Sequence, residues 1–453
     1  MHKDEAQAFL DEVVADLGIV GAQLALFDGN DMIEVATGTA RRDTDTPMTV
    51  DTRMQIGSTT KVFTATLVMT YVDEGKLDLD EPVVAYLPSF RTPDADAAAT
   101  ITLRHLLSMS AGIDNGPYSE YGNDDAATAR YLEAFSDVAN LFAPGTGYGY
   151  SNAATTVAGR VVEVVAGGAW DELLRERVLD PLELDRTRSR LEDLMMVPVA
   201  HGYHPDAEGT LHPYPAWGLT HALKAAGSTL ASTAGDLVRF ARIFLDGGVT
   251  ADGERILSQD AVTTMHTPHV ALPARYIADA WGVGPMVKEW DGGRLHGHSG
   301  TNTGSSSYLV WSPDHHVAIA TIANVPPRQY PMADRIHDEV FARYGVTRPA
   351  RPTPIDATDV AMDRYAGTFV ADGVTYAFDR GPDGQLQMAS TSSAGLKSTV
   401  VTPLVCIGPD RFVPTVAEAS GGRLWDVAFW GDDGHGRATH YLNGVFASRR
   451  ADG

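Results

Sequence analysis

Cysteine is almost missing from this sequence: Cys406 is the only one in 453 residues. No intrachain disulfide can form, and a cysteine-based metal cluster is excluded. The apolar run PLVCIG around Cys406 reads as a buried filler position, not as the setting of a nucleophile. Basic residues are also in deficit, 35 Lys plus Arg against 59 Asp plus Glu, a formal charge of -24. Nucleic acid and anionic membrane surfaces both demand clustered cations, so neither is expected as a partner. Long apolar runs are lacking too, and no stretch is suited to spanning a bilayer. The N-terminus, MHKDEAQAFLDEVVADLG, is charged and amphipathic, with Phe9, Leu10, Val13, Val14 and Leu17 on one face. It has neither the apolar core nor the small-residue cleavage site of a signal peptide, so a cytoplasmic location is expected.

Lysine is scarce, with six in the chain, and one of them stands out. In MQIGSTTKVFTATLVMTYVDEGKLDL, Lys61 lies near the start of a helical pattern whose apolar positions Val62, Ala65, Leu67, Val68, Met69 and Val72 predict burial in a core. Ser58 precedes it by three residues, a spacing that puts a hydroxyl and an amine on one helix face. No other serine in the chain is followed by lysine at that distance. A serine hydroxyl must lose its proton as it attacks, a lysine with a burial-lowered pKa can take it, and helix-start amides can steady the negative charge that develops. The plain alternative is that Ser58 caps the helix while Lys61 reaches solvent.

The length suggests one large domain and a smaller one. AQLALFDGNDMIEVATG predicts two strands around the turn Asp28-Gly29-Asn30-Asp31. From about 75 to 220 the pattern is mostly helical with Pro and Gly punctuation. Ser232 or Thr233 is placed to cap a helix carrying Leu237, Val238, Phe240 and Ile243 inward. WGVGPMVKEW, GRLHGHSGTNTGSSSYLVW and HHVAIATIAN read as successive strands, the last two joined at Ser312-Pro313-Asp314, and PMADRIHDEVFARYG reads as a helix. The expected class is α+β, an antiparallel sheet built from both ends of the chain and flanked by helices. The expected division is a catalytic domain over 1–346, a Pro-rich linker over 347–359 and a small all-β barrel over 360–453.

Two further stretches could complete a site with Ser58. PGTGYGYSNAATT places Tyr150 and Asn152 at the start of a helix, where a phenol can relay a proton and an amide can hold a carbonyl or the lysine. Tyr121-Gly122-Asn123 and Tyr441-Leu442-Asn443 have the same form, and Tyr150 is preferred because a Pro-Gly turn leads into it. Gly297-His298-Ser299-Gly300-Thr301 lies on a strand where glycine permits close backbone approach and the amide of Thr301 can serve an oxyanion hole.

SxxK, YxN and HSG in this order, with ITLRHLLSMSAGI and AAGSTLASTAGDLVRFA around them, resemble the serine β-lactamase and penicillin-binding-protein family over roughly residues 5 to 345. The resemblance is to the class C-related branch that includes esterases, D-aminopeptidases and stand-alone penicillin-binding-protein-type thioesterases. The tail is similar to the lipocalin-like domain of some members. The resemblance implies that Ser58 is acylated, that Lys61 and Tyr150 share the acid and base work, and that Asn152 orients the substrate or Lys61. It also implies that the amides of Ser58 and Thr301 form the oxyanion hole, with His298, Ser299 and Gly300 lining the cleft. Many members have lysine where this chain has His298, so antibiotic hydrolysis and cell-wall carboxypeptidase activity are less expected.

The expected substrate is a peptide-like ester, thioester or amide, at a D-residue or presented as a carrier-protein thioester, released by water or by its own amine. A reading of a different class is a penicillin-sensor-like protein that is acylated and stalls. No cofactor is implied. His296 and His298, and separately His201, His204 and His212, lack a carboxylate or cysteine at ligand spacing, so no metal is expected. Arg449 and Arg450 near the chain end are candidates for holding a substrate carboxylate, or simple surface residues.

Overall fold

The computed structural model describes residues 1–275, 277–350, 352–355, 361–371, 373–382, 384–392, 399–415 and 425–451. Parts of the expected linker (351 and 356–359), the expected first residue of the barrel (360) and stretches of the proposed tail strands (393–398 and 416–424) lie outside the described residues.

Strands Gly21–Phe27 and Met32–Arg41 form the anticipated hairpin, and Asp28 closes it by accepting from the Asn30 and Asp31 amides. They belong to an antiparallel nine-stranded sheet. Its order is Thr46–Pro47, Met32–Arg41, Gly21–Phe27, Val317–Ala323, Ser305–Ser312, Gly293–Asn302, Met286–Trp290, Ala280–Trp281 and Val270–Ala271. The two ends of the larger, N-terminal domain therefore meet at the sheet centre, where Ala22 pairs with Ala323 and Phe27 with Ala318.

Alternation along Gly21–Phe27 sorts its side chains between two cores. Leu24 and Leu26 pack with the helices Lys3–Leu17 and Pro326–Ala342, whereas Ala25 and Phe27 join the core that holds helices Thr60–Asp73 and Ala234–Leu245. Both faces are covered, so the strand is buried at every position. The Ala234–Leu245 helix is capped by Thr233, whose hydroxyl accepts from the Asp236 amide, and Leu237, Val238, Phe240 and Ile243 are all buried.

Between these halves lie the long helix Asn152–Ala166 and several short ones, among them Leu103–Leu107, Ala127–Glu133 and Trp170–Leu174. The insertion also carries a small hairpin, Tyr203–Pro205 with Leu211–Pro213. Two expectations are corrected. WGVGPMVKEW is two short antiparallel strands, Ala280–Trp281 and Met286–Trp290, joined by a turn. GRLHGHSGTNTGSSSYLVW is two strands, Gly293–Asn302 and Ser305–Ser312, folded back on each other at Thr303-Gly304. Gly304 has φ +90°, the left-handed region a tight hairpin turn uses.

The tail is a closed barrel of eight strands from Gly367–Ala371 to Phe446–Arg450, sealed by the pairing of Phe369 with Arg450. Its interior is filled by Phe369, Phe378, Met388, Leu404, Phe412, Phe429 and Tyr441, and Cys406 is buried among them. The barrel shares an apolar core with the rest of the molecule, in which Ala428, Leu442 and Ala447 pack with Tyr148, Tyr150 and Trp281. Among the described residues no helix is long and apolar enough to cross a membrane.

Candidate active site

Ser58 lies in a 3-10 turn, Gly57–Thr59, that runs directly into the Thr60–Asp73 helix. Every residue from Thr60 to Tyr71 is buried, which gives the turn a rigid base. Strand Gly293–Asn302 presses on this turn backbone to backbone. A Cβ on Gly300 would lie 1.9 Å from the Ile56 carbonyl oxygen and 2.7 Å from the Ser58 nitrogen, and one on Gly57 (φ +53°) would lie 2.5 Å from the Thr301 nitrogen. Only glycine permits this joint, which brings the amides of Ser58 and Thr301 to one place. The Thr59 hydroxyl bonded to Ser307 Oγ at 2.8 Å, and Ser307 Oγ donating to the Ile56 carbonyl at 2.7 Å, fix it from below.

Lys61 is 1% exposed. Its Nζ sits 3.1 Å from Ser58 Oγ, 2.6 Å from Asn152 Oδ1 and 2.7 Å from the Ala226 carbonyl oxygen, with a hydrogen bond to each. Burial alone pushes its pKa well below the ordinary lysine value, with no carboxylate among the described residues beside it to restore the charge. The Tyr150 hydroxyl lies beside the Ser58 side chain, and Lys61 Nζ stands 4.8 Å from the centre of the Tyr150 ring. Burial drives the Tyr150 pKa well above 10, outweighing the lowering influence of the nearby Ser58, so the phenol keeps its proton.

The structure thus brings Ser58, Lys61, Tyr150 and Asn152 into direct contact, with Thr301 at the turn. Ser299 is half-buried, and its Oγ accepts from the Tyr330 hydroxyl at 3.4 Å. His298 is 1% exposed, packed against the rings of Tyr150 and Trp281. Burial, then the nearby Lys61, hold its pKa down to about 3 despite the hydrogen bond from Nδ1 to the Ser299 carbonyl. A neutral ring behind Tyr150 offers no cation to a substrate carboxylate.

Sequence reasoning missed the groups that hold Asn152. Its Nδ2 donates to the Tyr118 hydroxyl at 2.6 Å, and its amide donates to Asn115 Oδ1 at 2.9 Å. Both lie in an irregular stretch with no periodic signal. The Ala226 carbonyl, a backbone group, was equally invisible. Of the rival tyrosines, Tyr121 stacks edge-on against Tyr131 and Tyr441 lies in the barrel core.

Arg450 does not reach Ser58. Its guanidinium donates to the Ala438, Ala366 and Arg364 carbonyls and lies over Phe369. Arg449 borders a separate hollow of about 390 Å³ with Asp114, Tyr121 and Asp137. His296 stacks on His266 at 3.9 Å in the core, and His212 pairs with Asp206 at 2.7 Å. Among the described residues, the one group of three or more potential metal ligands is Asp125, Asp171 and His221, and it includes none of those histidines.

Residues 6–343 match the family model described as Beta-lactamase. The chain is 34% identical over 363 residues to penicillin-binding protein 4 of Amycolatopsis lactamdurans, covering 78% of this chain and 94% of that one. The crystal structure of SurE is similar across 99% of both chains, barrel included, with a TM-score of 0.81 and 27% identity. A structure of SurE with D-Leu gives a TM-score of 0.77 and 28% identity over the same 99% of each. The D-amino acid amidase of Ochrobactrum anthropi SV3, complexed with L-phenylalanine amide, is similar over 76% of this chain and 98% of its own, with a TM-score of 0.64 and 26% identity.

Proposed function

The chain belongs to the beta-lactamase family, a family of serine hydrolases that includes esterases and D-amino acid amidases, and from that premise we propose that it is an acyl-transfer enzyme forming an ester on Ser58. The observation that carries this is the three-way setting of Lys61 Nζ. A neutral amine has two hydrogens and one lone pair. With the hydrogens donated to Asn152 Oδ1 and the Ala226 carbonyl, the lone pair is left facing Ser58 Oγ.

Lys61 is then the base that takes the Ser58 proton as Oγ attacks the carbonyl carbon. The tetrahedral oxyanion is held by the Ser58 and Thr301 amides. Tyr150, kept protonated by burial, gives a proton to the leaving group and is reprotonated by way of Lys61. Water, or the substrate's own amine, then attacks the Ser58 ester and regenerates the serine.

The substrate we propose is a peptide-like ester, amide or thioester with a D-configured residue at the scissile carbonyl, including one presented on a carrier protein. This rests on likeness to SurE, seen with D-Leu, and to the D-amino acid amidase. The neutral His298 argues against substrates that require a fixed cation there. Phe446 of the barrel, edge-on to the Tyr150 ring, supplies an apolar wall for a longer acyl chain.

Product analysis by mass spectrometry over D-amino-acid amides, p-nitrophenyl esters and peptidyl thioesters with a free N-terminal amine tests the reading. Cyclic product from the thioester assigns release by the amine, and hydrolysis of the first two alone assigns release by water. A stable Ser58 adduct without turnover would overturn the enzyme reading.

A further inference from the structure

We propose that Asp125, Asp171 and His221 form a binding site for a divalent transition metal of the Zn²⁺ class, independent of the Ser58 cleft. The three come from separate elements: the loop before helix Ala127–Glu133, the helix Trp170–Leu174, and the first position of the 3-10 segment His221–Ala226. One donor atom from each lies within 4.8 Å of the other two.

Asp171 supplies the second observation. The residue is 2% exposed, its Oδ2 accepts from Lys224 Nζ at 3.0 Å, and its Oδ1 has no hydrogen-bond partner. A buried carboxylate oxygen with an unsatisfied lone pair is costly unless a donor or cation meets it. Lys224 does not balance the site alone, since it is shared with Glu163 at 3.3 Å, and although Arg160 also meets Glu163 at 3.0 Å, the carboxylates of Asp125, Asp171, Glu163 and Glu172 outnumber the cations Lys224, Arg160 and Arg190. Arg190 stands 3.6 Å from both Asp125 and Glu172, too far for a tight pair. Negative charge is therefore in surplus around the three donors.

One imidazole with two carboxylates suits a borderline metal better than Mg²⁺ or Ca²⁺, which take all-oxygen shells. Asp125 is exposed, which gives the ion a way in. The metal would be structural. The Thr128 hydroxyl donates to the Ala222 carbonyl, the Thr64 hydroxyl to the Ala225 carbonyl and Lys61 Nζ to the Ala226 carbonyl, so pinning His221 stiffens the segment on which Lys61 rests. The sequence hid this set because its members are separated by 46 and 50 positions, without a motif.

The test uses the untagged full chain, stripped with chelator and titrated with ZnCl₂ by calorimetry, alongside thermal melting. One equivalent should bind and raise the melting midpoint by a few degrees. Asp125→Ala and His221→Ala should each weaken binding about tenfold or more and abolish the rise. Co²⁺ should give visible d–d absorption in the parent and lose it in both variants. Asp125 is an exposed position, so its replacement does not endanger folding. The absence of binding, or binding and stabilisation unchanged in Asp125→Ala and His221→Ala, would overturn the proposal.

Discussion

Lys61 and Tyr150 are perturbed in opposite directions by the same cause, removal from water. An amine loses its charge more readily there, and a phenol keeps its proton. Lys61 works as a base only when neutral, so activity is present above its lowered pKa and lost as pH falls through it. The alkaline side should stay flat until pH approaches the raised value of Tyr150. Lys61→Met should lower kcat/KM by about 10²–10⁴-fold and erase the acid limb of the pH–rate profile, which steady-state kinetics on a p-nitrophenyl ester will show. A variant within a few-fold of the parent would remove Lys61 from the base role. Ser58 and Lys61 were legible because helical spacing joins residues three apart. Tyr118 and the Ala226 carbonyl were not, because contacts made from irregular segments or from the backbone leave no period to read.

The joint between the Ser58 turn and strand Gly293–Asn302 depends on missing side chains. Gly300→Ala would drive a methyl into the Ile56 carbonyl oxygen, 1.9 Å from where the carbon must sit. Backbone on both sides would have to shift, at a cost of about 1–3 kcal/mol, and the Thr301 amide would move away from Ser58. Melting should fall by several degrees and the esterase rate by about a hundredfold or more. Unchanged kinetics in a folded Gly300→Ala protein would show that the oxyanion hole lies elsewhere. HSG was readable as a close approach of backbones, since glycine in a strand serves that purpose. The hairpin just beyond it was missed because alternation continues through TNTG, and the turn announces itself only by Gly304.

At the scale of the whole molecule, the sheet made from both chain ends and the all-β tail were both visible in patterning, because strand periodicity and Pro/Gly punctuation are local signals. Where the tail docks was not, since docking depends on which surfaces are complementary in three dimensions. The Tyr150 amide donates to the Val445 carbonyl at 3.0 Å, His440 Nε2 is hydrogen-bonded to the Leu141 carbonyl at 3.0 Å, and Phe446 touches the Tyr150 ring. The barrel therefore packs directly against Tyr150, beside Ser58. Phe446→Ala, at a position 42% exposed, should leave melting nearly unchanged. It should raise KM for a peptidyl substrate about tenfold while leaving a small p-nitrophenyl ester within twofold, since a lost aromatic contact removes binding only where the acyl chain reaches it. Equal effects on both would deny the barrel a part in acyl recognition.

The most direct measurement is intact mass, followed by peptide mapping, after brief exposure to an activated D-aminoacyl ester and acid quench. The parent should gain one acyl group on the peptide containing Ser58, and Ser58→Ala, folded to the same melting midpoint, should gain none and turn over no substrate. An adduct on another residue, or turnover by Ser58→Ala at the parent's rate, would contradict the account.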